Sequence, residues 1–436
     1  MNPIVEELKQ RGLWAASFGP IERELVKGAK VYVGTDPTNP PDGSKASLHV
    51  GHLLMFTTAR LLQSYGIQPI ILIGTATCSL GDPSGKDSAR AMMTMERVME
   101  NSAAISEQVK KLLNFDEGAE NHAIVVNNYD WMKDISFLDF EREIGSCISV
   151  NTMLKKDSVK LRIEREGVGI SHQEFSYMLL QGYDFLHLYK EMGVKIQMAG
   201  NDQQSNCGIG IDLIHKKLGK DDACGYFWPL ITNADGSKIG KSTGGGNVWL
   251  DKEKTTPYQF MQYWLNLSDE DAARFIKIFT LIPLEQIDEM IEKHNEKPSA
   301  RLLQKELAKY MTILVHSEEE YKKAVEASQI LFGDSTSDAL GKMDEETFLS
   351  VMKGVSKVEV EKGTIESGIT YIDLAVMHDK VPSKSEARKL IKANGFSVNK
   401  EKVSDEKGII TADKLINGKY LLLQKGKKDY SLVVVR

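Results

Sequence analysis

Apolar positions along the chain fall into two rhythms. Residues 30–35 (KVYVGT) and 69–74 (PIILIG) are short apolar runs, the pattern of strands buried on both faces. Between them, residues 51–65 space their apolar side chains at helical intervals and stop at Gly66. Strand, helix and buried strand in this order predict a βαβ unit. Such units build parallel sheets, and the ligand crevice of a parallel sheet lies beyond the carboxyl ends of its strands. That crevice is where the loop DPTNPPDGSKAS and the pentapeptide LHVGH (48–52) after it would lie.

Further on, residues 88–192 carry mostly helical spacing and end in the amphipathic stretch SHQEFSYMLLQGYDFLHLYKEMG; residues 195–200 (KIQMAG) read as another strand. A glycine-rich loop, ADGSKIGKSTGGGN, covers 234–247. After Thr256 and Pro257, a helix start, the pattern stays helical to about Phe332. Residues 333–368 mix charge with Ser, Thr and Gly and read in part as linker. The remainder forms a small α+β unit, whose helix SKSEARKLIKAN stops at Gly395 before several short strands.

A length of 436 residues divides into about three domains at roughly 150 residues each. Cys78, Cys147, Cys207 and Cys224 are scattered without a CxxC pair, so a reducing cytoplasm is expected rather than a disulfide framework or a cysteine zinc site. The opening MNPIVEELKQRG predicts an amphipathic helix capped by Asn2, with Pro3 in its first turn, and no apolar signal core. No apolar run reaches 18 residues, so no membrane span is expected. Net charge is −6, but residues 384–436 carry thirteen Lys/Arg against six Asp/Glu, or +7, leaving −13 on the rest. A basic tail on an acidic body suits either a polyanionic partner or a merely solvated surface.

His49 and His52 admit three readings. A zinc site needs a third and usually a fourth ligand, and neither HExxH nor a cysteine pair supplies one. Two helix-end histidines without function are the second. The third is anion stabilisation, with two imidazole donors at a helix N-terminus and Gly51 leaving room for a nucleotide. The loop SKIGKS strengthens the third: Lys238 and Lys241 lie three apart among Gly236, Gly240 and Gly244 to Gly246, which suits two ammonium groups acting on a polyphosphate. It matches neither GxxxxGK[ST] nor GxGxxG.

With these residues in view, the chain resembles the class I aminoacyl-tRNA synthetases, where LHVGH looks like the HIGH motif and KIGKS like the KMSKS motif. Within them it is similar to the bacterial tyrosyl enzymes through YVGTDPT (32–38), GDPSGK (81–86), EFSYMLLQGYDF (174–185) and GNDQ (200–203). The resemblance implies an α/β fold: a Rossmann-like parallel-sheet catalytic domain with a helical insertion (1–232), the KMSKS-type loop (233–255), an α-helical anticodon-side domain (256–345), a linker (346–367) and an S4-like RNA-binding domain (368–436). It also implies ATP as substrate with Mg²⁺ accompanying it, L-tyrosine and tRNA(Tyr) as partners, a homodimer, and a cytoplasmic location.

Residue by residue, Tyr32 and Asp184 match the pair that bonds the substrate phenol, and Asp82, Tyr177 and Gln181 match the groups that hold its ammonium, with Gln197 and Gln203 completing the pocket. Tyr177, Gln181 and Asp184 fall at i, i+4 and i+7, one helix face. Gly34, Asp36, Gly51, Gly200 and Asp202 match the ATP side. Thr38, His49 and His52 would donate to the α-phosphate, and Lys238 and Lys241, with Ser242, to the β and γ phosphates. The chain departs from the family at Thr35, Thr75, Cys78 and Gln204-Ser205, and in its longer loop at 39–46. Two other readings share this scaffold: an RNA-binding protein with a retired site, and a tyrosine-adenylating enzyme that uses no tRNA. The intact reacting residues disfavour the first and the basic tail the second.

Overall fold

The computed structural model describes residues 2–38, 43–79, 93–156, 159–160, 163, 169–240, 246–332, 340–341, 343–352, 355–426 and 429–436. The chain forms two compact units, one of Met1–Thr255 with Tyr263–Val315 and one of Thr256–Gln262 with His316–Arg436.

The first unit is built on a six-stranded sheet: β1 (Ala16–Phe18), β2 (Lys30–Thr35), β3 (Gln68–Ile73), β4 (Ile124–Asn127), β5 (Ile196–Gly200) and β6 (Cys224–Trp228), in spatial order β1-β6-β5-β2-β3-β4. All neighbours are parallel except β1 with β6. From β2 the chain moves outward to β3 and β4, then returns to the other side of β2 as β5. The switch point of this doubly wound sheet therefore falls between β2 and β5, where Tyr32 is in register with Gln197.

Strands 30–35 and 68–73 lie where the apolar runs place them, because β3 is buried at every position and β2 at most. Strand β4 sits inside the region read as mostly helical. Its four residues are only half-buried at the sheet edge, so they show neither a continuous apolar run nor a clean alternation. The three-residue β1 is equally silent.

Helices cover the sheet: α1 (Pro3–Gln10), α2 (Val50–Ser64), α3 (Met95–Val109), α4 (His172–Met192) and α5 (Gln204–Leu218). Ser171 and Glu174 form a capping box at the start of α4, and Gly193 ends it in the left-handed conformation. The apolar stripe of α4 (Met178, Leu179, Phe185) enters the core beside Tyr32, Cys207 and Phe227, which leaves its polar stripe facing the sheet's switch point.

Helices α6 (Asp269–Phe279) and α7 (Leu302–Val315) also belong to this unit, so the helical range 256–345 divides between the two. The physical tie is Arg11, 3% exposed, whose guanidinium donates to the carbonyls of Lys277, Thr280 and Ile282 at 2.9, 3.0 and 2.9 Å. Its Nε donates to Glu7, which also accepts from the Tyr65 hydroxyl. A buried guanidinium is tolerated only when its donors are met in this way.

In the second unit, β7 (Ser356–Val360), β8 (Ile369–Thr370), β9 (Phe396–Val398), β10 (Glu401–Lys402), β11 (Ile409–Ile410), β12 (Tyr420–Lys425) and β13 (Asp429–Val435) make a five-stranded sheet, β10-β9-β12-β13-β7, and a separate β11-β8 pair. Residues 346–367, whose composition reads as linker, thus include β7, parallel to β13. Its alternating SKVEV exposes the charged positions, which is what gives the stretch a linker's composition. Helix α8 (Lys384–Lys392) is capped by Ser383; the left-handed stop is Asn394 (φ 52°), and Gly395 follows it with its N–H on the Leu390 carbonyl.

Candidate active site

A cavity of about 520 Å³ opens at the carboxyl ends of β2 and β5. Of the residues expected to carry function, Tyr32, Gly34, Asp36, Thr38, His49, Gly51, His52, Tyr177, Gln181, Asp184, Gln197, Gly200, Asp202 and Gln203 all line it. Lys238 does not; it is exposed, on a hairpin described below. Asp82, Lys241 and Ser242 lie outside the described residues.

At the cavity floor Tyr32 is 1% exposed, and its hydroxyl has no hydrogen-bond partner among the described residues. The Gln197 Oε1 beside it in register is equally unpaired and buried. Orphaned buried polar atoms cost about 1–3 kcal/mol each, so two of them facing one cavity are the mark of a ligand's polar group. Asp184 of α4 closes the floor, 1% exposed, accepting from Asn128 Nδ2 at 3.1 Å and Trp131 Nε1 at 2.9 Å. Burial pushes its pKa up to about 8 against those two donors, with the Asp36 charge adding a smaller push upward.

The polar floor carries two hydrogen-bonded groups. Asn128 also donates to Thr77 Oγ1 (3.1 Å), Thr77 donates to Asp36 Oδ1 (3.1 Å), and the Tyr177 hydroxyl donates to Asp36 Oδ2 (3.0 Å). Asn206, 1% exposed, donates to the Oε1 atoms of Gln181 (2.9 Å) and Gln203 (3.0 Å). Asn128, Trp131, Thr77 and Asn206 were not singled out by sequence. They come from β4's end, two short helices and α5, and only the fold brings them to one floor.

The two histidines act first on their own helix. His49 is the N-cap of α2 and accepts the Gly51 N–H on Nδ1 at 3.1 Å; His52 Nδ1 accepts the His49 N–H at 3.1 Å, giving a capping box built from imidazoles. With each Nδ1 an acceptor, the neutral ring carries its proton on Nε2. Burial, and secondly His49, hold the pKa of His52 well below the ordinary histidine value, so it stays a neutral Nε2–H donor. The space a Cβ would need at Gly51 is held by the His49 ring, 2.8 Å away. Gly51 is therefore glycine to let His49 fold back onto its own helix, before any question of room for a nucleotide. The backbone entering α2 is held by α3, where Asn101 accepts from Ala46 N–H and Gln108 from Leu48 N–H.

Residues 26–333 match the family model described as tRNA synthetases class I (W and Y), and residues 348–433 match that of the tyrosine-tRNA ligase SYY-like C-terminal domain. The tyrosine-tRNA ligase of Bacteroides fragilis is 48% identical over 99% of this chain and 100% of its own length, and that of Flavobacterium johnsoniae 46% over 100% of both. The chain belongs to the tyrosine-tRNA ligase family. Among solved structures it is similar to a C-terminally truncated mitochondrial tyrosyl-tRNA synthetase of Aspergillus nidulans, with a TM-score of 0.66 and 28% identity over 76% of this chain and 94% of that one. The fold is also that of the Archaeoglobus fulgidus tyrosyl-tRNA synthetase solved with L-tyrosine (TM-score 0.52, 18% identity, 74% of this chain and 99% of that one).

In this member of the tyrosine-tRNA ligases, the lysine segment is described up to Gly240. Residues 233–237 form a tight turn, with Asn233 N–H on the Ser237 carbonyl at 2.9 Å, and Lys238 follows, bridged to Thr232. Gly240 has φ +80° and stands so near the α2 N-terminus that a Cβ would lie 3.2 Å from the Gly51 nitrogen. Conformation and closeness both demand glycine there. The backbone of the lysine segment thus abuts the histidine helix.

Proposed function

We propose that this protein attaches L-tyrosine to tRNA(Tyr) in two ATP-dependent steps. The observation that carries the tyrosine assignment is the unpaired Tyr32 hydroxyl buried with the Asp184 carboxylate at the cavity floor. A phenol O–H both donates and accepts, so it can meet the two at once, whereas a phenyl ring leaves both unmet. Tyr177, Gln181 and Asp82 are assigned to the ammonium side, and Gly34, Asp36, Gly200 and Asp202 to the nucleotide.

In the first step a tyrosine carboxylate oxygen bonds to the α-phosphorus of ATP, the bond from that phosphorus to the β-bridging oxygen breaks, and pyrophosphate leaves. The carboxylate is already ionised, so no base is needed. The protein's work is to align the reactants and to meet the charge growing on phosphate oxygens. The Nε2–H groups of His49 and His52, with Thr38, are assigned to the α-phosphate, and Lys238, Lys241 and Ser242 to the leaving pyrophosphate. Mg²⁺ enters as the counter-ion of ATP, and no side chain of the protein is assigned to it. In the second step the terminal ribose hydroxyl of tRNA attacks the tyrosyl carbonyl carbon and AMP leaves.

Tyrosine is expected to drive exchange of labelled pyrophosphate into ATP far more efficiently than any other amino acid; a different preferred amino acid, or no exchange, rejects the assignment. For the tRNA end, the exposed cations Arg388, Lys389 and Lys392 of α8 are assigned to the phosphate backbone. Reversing all three to Glu is expected to lower kcat/KM for tRNA charging by about 10²-fold and to flatten its salt dependence, since each lost phosphate contact removes roughly 0.9 from the log–log slope. Exchange should be unchanged, and charging that survives would move the RNA site elsewhere.

The exposed apolar side chains Phe137, Leu138 and Val150 (68%, 76% and 58%) suit the homodimer the family implies. Sedimentation of Leu138→Asp as a monomer beside a dimeric parent would support that surface, and an unchanged dimer would reject it. The cytoplasm is the proposed compartment, supported by four scattered cysteines without a CxxC pair.

A further inference from the structure

The lysine segment is nailed at two points to one rigid frame. At the near end, the Ala234 N–H donates to both carboxylate oxygens of Asp271, at 2.9 and 3.2 Å. At the far end, the Gly240 N–H donates to the Tyr263 hydroxyl at 2.9 Å. Between these two points lies Lys238, with Arg274 adding a bond to the Thr232 carbonyl and an ion pair to Asp271 at 2.9 Å.

Both anchors are themselves fixed. Asp271 is 5% exposed in the first turn of α6, where Ser268 caps it at 3.0 Å. Tyr263 stacks edge-on against Trp264 (5.1 Å), which packs on Phe279 (5.4 Å) and through it on Phe275 (5.6 Å). The Trp264, Phe275 and Phe279 rings are fully buried and cannot shift without opening the core. The flank of α6 packs against α2, whose N-terminus carries His49 and His52. One helix therefore touches the frame of both phosphate-donor groups.

We propose that Tyr263 and Asp271 are positioning residues for pyrophosphate release and ATP use: they set the place of Lys238 relative to the histidine helix without touching substrate. The proposal rests on the assignment of Lys238 to the pyrophosphate end. Tethering at both ends restricts the backbone of residues 234–240, so the ammonium group is held near its working position before ATP arrives. In water-exposed surroundings a lysine loop without such anchors would give up that order as entropy on each turnover.

The test is a double-mutant cycle on pyrophosphate exchange in the full-length protein, with tyrosine affinity measured separately by equilibrium dialysis. Tyr263→Phe keeps the ring stack and removes only the hydroxyl; it is expected to lower kcat/KM for ATP about tenfold with tyrosine affinity unchanged, as befits one unpaired backbone donor. Lys238→Ala is expected to lose more, and Tyr263→Phe added to it should lose nothing further. Asp271→Asn, which weakens the other anchor, should follow the same rule.

A Tyr263→Phe penalty that reappears in full in the Lys238→Ala background overturns the proposal, as does an equal loss of tyrosine affinity. Unimpaired Tyr263→Phe beside a crippled Lys238→Ala rejects the anchor while keeping the lysine's role. An active Lys238→Ala beside an impaired Tyr263→Phe rejects the lysine's role instead.

Discussion

His52→Ala is expected to slow tyrosine-dependent pyrophosphate exchange by about 10²- to 10³-fold, the usual penalty for removing one preorganised donor from a developing oxyanion. Tyrosine affinity should stay within about twofold, because a donor engaged only as charge develops contributes to rate and not to ground-state binding. The substitution has a second effect, which the cap predicts. His52 Nδ1 accepts the His49 N–H, so alanine should also cost roughly 1 kcal/mol of stability.

His52→Glu separates the two effects. Glutamate at the third helical position restores the capping box but offers no Nε2–H, so the fold should recover while exchange stays lost. Steady-state exchange with thermal unfolding on the three proteins reads both. Recovery of activity along with stability would show that His52 matters only as a cap. Burial holds His52 neutral, so the parent's exchange rate should show no loss of this donor between pH 6 and 8.

Asp184→Asn is the second large effect. An amide at 184 turns one N–H₂ toward a site where Asn128 and Trp131 both donate, and a buried donor left unmet costs about 1–3 kcal/mol, or roughly 10- to 100-fold in kcat/KM for tyrosine. Phenylalanine gains nothing from the carboxylate, so its activation should fall far less. Comparison of the two amino acids in one exchange series decides the matter. A parallel fall for both would mean that Asp184 holds the floor together without reading the phenol.

Its ionisation gives an independent signature. The folded pKa is pushed up to about 8, above the ordinary carboxyl value near 4, so the unliganded fold binds this proton more tightly than the unfolded chain does. The stability Asp184 contributes is fully present at acid pH and declines as pH rises through that window. Asparagine has no such dependence. The difference in melting temperature should therefore move in favour of Asp184→Asn between pH 5 and 8 and level off above, and parallel curves would show an ordinary carboxyl.

Much of the fold could be read from the chain, for reasons that differ by element. Strands β2 and β3 announce themselves because both faces are buried and the residues are apolar throughout. Strand β4, at the sheet edge and half-buried, carries no such mark. The cavity's lining was legible where residues cluster in short motifs, as in YVGTDPT, LHVGH and GNDQ. What supports those residues was not: Asn128 lies 56 positions from Asp184, and Asn206 25 from Gln181, distances over which local patterning carries no information. Gly51 shows the subtler limit. Its spacing suggests space for a ligand, and only the coordinates reveal that a neighbour's imidazole occupies it.

Arg11 carries a consequence for synthesis of the chain. Its three carbonyl partners lie 266, 269 and 271 residues downstream, so nearly two-thirds of the protein must leave the ribosome before the guanidinium can be satisfied. Until then a charged group waits at the end of α1 with those carbonyl partners still unmade. The first helix made is among the last to be locked.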